Sequence, residues 1–129
     1  MKEVKFSYGD RHYCLNLDTK ISILAGDSGS GKTALCNDVI NANNIQDTVI
    51  VVIRDYGVDL SIYSSVDLVI IDEQILNKYI TNKRVDLLNN NFKNLLIISR
   101  DSVRSLSYSY KSIYNLVKVN NIITLKRIL

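Results

Sequence analysis

The sequence predicts an α/β fold of three layers: a mainly parallel sheet covered on both faces, with antiparallel strands at the N- and C-terminal ends. Three observations predict it. Four short runs, Ile21–Ala25, Thr48–Ile53, Leu68–Ile71 and Leu95–Ile98, are apolar throughout or nearly so, the pattern of strands buried on both faces. Segments with helical spacing lie between some of them, as crossovers between parallel strands require. At each end of the chain, two strand-like runs flank a turn signal, the pattern of a hairpin.

Each element has its own justification. Val4–Tyr8 alternates apolar and polar residues, Gly9-Asp10 supplies a turn, and Tyr13–Leu17 continues as a second strand. Ile21–Ala25 is bounded by Asp18-Thr19 and Gly26. From Lys32 to about Asn43, Leu35, Val39 and Ile40 share one helical face, and "NANN" ends the segment. Thr48–Ile53 is β-branched almost throughout. Leu68–Ile71, preceded by Val66, is the next buried strand, and Ile75–Leu88 reads as a helix broken by Asn89–Asn91. After Leu95–Ile98 comes a polar, Ser/Tyr-rich stretch, Asp101–Tyr110, which reads as a loop over the sheet edge or as a partner surface. Ile113–Val119 and Ile122–Leu129 flank Asn120-Asn121 and close the chain as a strand pair.

Composition narrows the function. At 129 residues, with 47% apolar and 22% charged residues, the chain is sized for one domain with a real core and argues against general disorder. The net charge of +3 is spread thinly; Lys83-Arg84 and Lys126-Arg127 are the only tight basic pairs, so nucleic-acid binding finds no support. Cys14 and Cys36 lack metal-type spacing and read as reduced thiols of a cytoplasmic protein. His12 is the only histidine, which leaves little basis for a histidine metal site or a Ser-His-Asp triad. The N-terminus lacks the apolar run of a signal peptide, and no apolar stretch reaches the ~18 residues that would predict membrane insertion.

Two motifs carry chemistry. "GDSGSGKT", Gly26 to Thr33, fits G-x-x-x-x-G-K-[ST] at every fixed position, between an apolar strand and a helix. Gly26, Gly29 and Gly31 allow a tight turn, so that backbone N–H groups along Asp27, Ser28, Ser30 and Ala34 can approach phosphate oxygens. Lys32 adds a point charge for the β- and γ-phosphates, and Thr33 offers a hydroxyl to Mg²⁺. A Gly/Ser-rich loop can match by chance, but the strand-to-helix context favours phosphate binding. The second motif is Asp72-Glu73, at the carboxyl end of "VDLVIID". There Asp72 can hold Mg²⁺ through water, and Glu73 can polarise an attacking water as a general base. The plainer alternative makes Asp72 a helix cap with Glu73 in the first turn, and the two roles are compatible.

Together the motifs resemble the additional-strand, catalytic-glutamate division of P-loop NTPases, most of all the ATP-binding-cassette core and AAA-type ATPases. The resemblance implies a single P-loop domain that binds ATP with Mg²⁺ and hydrolyses it, with Lys32 and Glu73 as catalytic residues. It places Tyr8 where an aromatic stacks on adenine. No guanine-reading "NKxD" motif is present. The departures are equally specific. No "LSGGQ" signature or helical subdomain occurs between Ile53 and Val66, no glutamine-loop residue follows Thr48–Ile53, and Arg100 stands where the switch histidine would be. Another group must then meet the γ-phosphate: Arg54, Arg100 and Arg104 are candidates, or a residue supplied by a homodimer or a protein partner. The expectation is therefore an ATPase that is weak alone. The alternatives are a nucleotide-dependent switch with little turnover and, less well fitted to so short a chain, a small-molecule kinase.

Overall fold

The computed structural model describes residues 2–26, 31–42, 48–54, 63–76, 92–99 and 112–128. In chain order these form β1 (Lys2–Tyr8), β2 (Arg11–Leu17), β3 (Ile21–Leu24), α1 (Lys32–Asn41), β4 (Ile50–Ile53), β5 (Leu68–Asp72), α2 (Glu73–Leu76), β6 (Leu95–Ile98), β7 (Ile113–Val119) and β8 (Ile122–Arg127). The eight strands make one sheet, in the order β1-β2-β8-β7-β3-β6-β5-β4.

Both terminal hairpins turn on two residues whose chemistry suits the bend. Asn120 and Asn121 take φ of 51° and 65°, as a type I′ turn requires, and asparagine tolerates that region better than most residues. β7 and β8 pair antiparallel around them, from Val119↔Ile122 to Tyr114↔Arg127. β1 and β2 pair antiparallel around Gly9-Asp10. The strands from β7 to β4 run parallel, and β2 meets β8 in a short parallel ladder at His12–Cys14.

The expected three-layer α/β fold with a mainly parallel sheet is corrected by this arrangement. Strands take 53% of the described residues and helical turns 18%, and the sheet is a mixed one curled into a half-barrel. The β7–β8 hairpin does not cap an edge; it lies inside the sheet, joining the N-terminal hairpin to the parallel strands. The curl brings both margins to one helix, since β1 and β4, the outermost strands, each pack against α1. Most of the segment expected to form a second helix, Ile75–Leu88, lies outside the described residues; of it, Ile75 and Leu76 belong to α2.

Side-chain alternation builds two cores. Leu35 and Val39 of α1 pack on the concave side with Leu24, Ile70, Leu96 and Ile98 of the parallel strands, and with Val4, Phe6, Leu15 and Ile123 of the hairpins. Ile23, Val69, Ile71 and Ile97 point the other way, toward Ile75, Leu76, Val66 and Phe92. Strands β3, β5 and β6 are thus buried on both faces, which explains their nearly continuous apolar runs, interrupted by Ser22 in β3 and ended by Asp72 in β5.

An ion pair with a buried carboxylate fixes α1 inside the curl. The Arg11 guanidinium makes two parallel hydrogen bonds to Asp38, Nε to Oδ2 at 2.6 Å and Nη2 to Oδ1 at 2.7 Å. The Tyr13 hydroxyl donates to the same Oδ2 at 2.5 Å. These bonds to Arg11 and Tyr13 hold the Asp38 carboxyl below its ordinary range against the opposing effect of burial. Burial, reinforced by Asp38, pushes the Tyr13 hydroxyl well above its ordinary value. Among the described residues, no helix is long and apolar enough to cross a membrane.

Candidate functional site

Parallel pairing brings the carboxyl ends of four strands to one edge. Leu24 pairs with Ile98, Ile98 with Asp72, and Ile53 with Ile71. The residues just past these strands therefore gather there: Ala25-Gly26 after β3, Arg54 after β4, Glu73 after β5 and Ser99 after β6. Ligand crevices form at such edges, because backbone groups and side chains leave the sheet together.

α1 opens at this edge. Gly31 takes φ of 98°, and its carbonyl accepts the Leu35 N–H at 2.9 Å, closing the first helical turn. A methyl group on Gly31 would meet Leu116 Cδ1 at an ordinary 3.7 Å, so the backbone angle rather than space demands glycine. Lys32 begins the helix and is buried; its Nζ donates to the Gly26 carbonyl and, at 2.7 Å, to the Ser99 carbonyl. Ser99 Oγ donates in turn to Glu73 Oε2 at 2.5 Å, with Ser99 and Glu73 both buried. One polar chain thus links Gly26, Lys32, Ser99 and Glu73 across three strand ends.

Beside this chain lies a cleft of about 330 Å³. Lys32, Thr33, Arg54, Asp72 and Gln74 supply its polar lining, over a floor that includes Val52, Ile70 and Ile98. Asp72 Oδ1 accepts the Gln74 N–H at 2.8 Å, so Asp72 caps α2 while also lining the cleft. Arg54 extends over the helix and donates from Nη2 to Asn37 Oδ1 at 2.8 Å. The Cys36 thiol is pushed up by burial, with Arg54 opposing the shift and Asp72 adding to it.

Lys32, Thr33 and Asp72, all singled out in the sequence, meet at one cleft. Gly26 and Gly31, the two fixed glycines of the Gly26–Thr33 motif, take positive φ, and Ala34 is half-buried in the first turn of α1. Glu73 is adjacent but not among the residues lining the cleft. Tyr8 does not line it either; its ring lies under the Arg11 guanidinium, 5.9 Å from carbon to centroid. Asp27, Ser28, Gly29, Ser30, Arg100 and Arg104 lie outside the described residues. No motif marks Ser99 as a functional group, and sequence reasoning misses it as one. The available signal is its position, one residue beyond a buried strand that pairs with both motif-bearing strands.

Two of the side chains that line the cleft, Thr33 and Asp72, are oxygen donors. A hydroxyl and a carboxylate at the cleft are oxygen ligands of the kind Mg²⁺ takes, and Mg²⁺ characteristically completes its octahedron with water and phosphate. Among the described residues there is no cluster of three or more His, Cys, Asp and Glu side chains that could hold a metal. Set against known proteins, the chain matches no family model and no curated protein.

Proposed function

We propose that the chain binds a nucleoside triphosphate, ATP in preference to GTP, together with Mg²⁺, and hydrolyses it slowly when alone. The observation that carries this reading is the meeting of Lys32 and Thr33 with Asp72 at one cleft, at the start of the helix that Gly31 opens. Lys32 Nζ already donates to the Gly26 and Ser99 carbonyls at this strand edge, and anionic phosphate oxygens are stronger acceptors for an ammonium group than carbonyls are. Thr33 and Asp72 would hold Mg²⁺, which supplies charge neutralisation at the phosphates. Glu73 accepts a proton from the attacking water, and Ser99 orients its carboxylate. The adenine preference comes from the likeness to ATP-binding-cassette proteins. In this reading the chain works in the cytoplasm, where its free thiols Cys14 and Cys36 stay reduced. A second copy or a protein partner completes the site.

One observation favours a second reading, a nucleotide switch with little turnover. Glu73 is buried, bonded to Ser99, and absent from the cleft lining. Two measurements decide. Calorimetry should register Mg-ATP binding to the wild type and its loss in Lys32→Ala; no heat from well-folded wild type, or an unchanged Lys32→Ala, sinks the phosphate reading. Steady-state phosphate release should fall at least about 100-fold in Glu73→Gln. Equal rates with binding intact establish the switch.

A further inference from the structure

The geometry points to Arg54 as the residue that distinguishes a nucleoside triphosphate from a diphosphate, by moving from Asn37 onto the terminal phosphate. This deepens the proposed function and rests on it.

Three described arginines can be compared. Arg11 is committed to Asp38 through two hydrogen bonds, and Arg127 faces Asp18 at 3.5 Å. Arg54 alone among them has no carboxylate partner among the described residues; its guanidinium rests on the neutral amide oxygen of Asn37, at the exposed surface. A guanidinium is an always-charged fork suited to bidentate binding of phosphate, and an amide oxygen uses only part of that capacity. Arg54 is also in the right place. It lines the same cleft as Lys32, Thr33 and Asp72. Asn37 lies four residues after Thr33, one helical turn farther along the same side of α1. The resting position is therefore about 6 Å along the helix axis from the Thr33 level, a distance within the swing of an arginine side chain. The charges of Arg54 and Asp72 both act on the Cys36 thiol, which shares the cleft wall with them.

The γ-phosphate, the terminal group of a triphosphate, is what a diphosphate lacks. In the proposed site Lys32 and Thr33 serve both ligands, whereas the contact from Arg54 forms with the triphosphate alone. The shift needs no new bond beyond an exchange of acceptors, from a neutral oxygen to an anionic one.

The test is calorimetric titration of Mg-ATP and Mg-ADP into wild type, Arg54→Ala, Arg54→Lys and Asn37→Ala, with circular dichroism confirming that each is folded. Arg54→Ala should weaken Mg-ATP about tenfold or more and leave Mg-ADP within about twofold. Arg54→Lys should recover part of the loss, since it keeps the charge without the fork. Asn37→Ala removes the same resting hydrogen bond but leaves the guanidinium, and should keep the preference for ATP. Equal weakening of both ligands by Arg54→Ala, weakening of neither, or an Asn37→Ala variant that copies Arg54→Ala overturns the role of Arg54 and leaves phosphate binding standing. Wild type that binds neither nucleotide overturns the phosphate reading and this proposal with it.

Discussion

At the scale of single residues, Asp38 shows how chemistry distant in sequence fixes a site. Asp38 is almost wholly buried and satisfied by Arg11 and Tyr13, so Asp38→Ala leaves a guanidinium and a hydroxyl without their acceptor. Loss of about 2–3 kcal/mol of stability is expected, read as a lower urea midpoint. The pH dependence has a definite sign. Because the folded-state value of Asp38 is held down, its contribution is complete above the unfolded carboxyl value near about 3.9 and disappears as pH falls through the folded value. Urea unfolding should therefore show Asp38→Asn losing less stability than wild type as pH falls from about 5 to about 2. Lys32, Thr33 and Asp72 are legible in the sequence because a glycine-rich stretch marks the start of α1 and a buried apolar run marks the strand that ends at Asp72. The Arg11–Asp38 pair is not, since nothing local marks two residues 27 apart as partners.

At the scale of elements, local rules account for most of the structure. Nearly continuous apolar runs form β3, β5 and β6, and turn residues set both hairpins. The Asn120-Asn121 turn is the clearest case, since positive φ at successive positions excludes most side chains. Asn121→Val should cost about 1–2 kcal/mol in thermal or chemical unfolding, because a β-branched residue resists the left-handed region. Asn121→Gly should be nearly neutral or slightly stabilising, which separates the backbone effect from loss of the amide. α1 begins at Lys32, as the motif demands, and ends at Asn41, close to the expected boundary. The α2 segment shows the limit of such rules. Asp72 is at once the last residue of a strand, the cap of a helical turn and part of the cleft wall, and sequence spacing does not rank those roles.

At the scale of the whole molecule, apolar periodicity reports that the parallel strands are covered but not by which elements. It carries no information about whether a helix layer or the sheet's own hairpins do the covering. Here the hairpins contribute much of the concave core, with Val4, Phe6, Leu15 and Ile123 standing beside Leu35 and Val39. That is why the sequence predicts three layers and the structure shows a curled sheet. The burial pattern has a measurable consequence: amides of β3, β5 and β6 should exchange hydrogen most slowly, at rates set by global unfolding. Exposed Val119 and Ile122, at the tip of the β7–β8 hairpin, mark a region that should exchange by local opening. Slower exchange at the hairpin tip than in β6 would contradict this order.

The helix that begins with Lys32 and Thr33 is also the post against which the first and last strands of the sheet lean. The charged ligand proposed above, bound at its leading turn, would tighten the common support of both flanks. Heat should then unfold the ligand-loaded molecule in one later step, with the N-terminal hairpin and the far strand surviving to the same higher temperature.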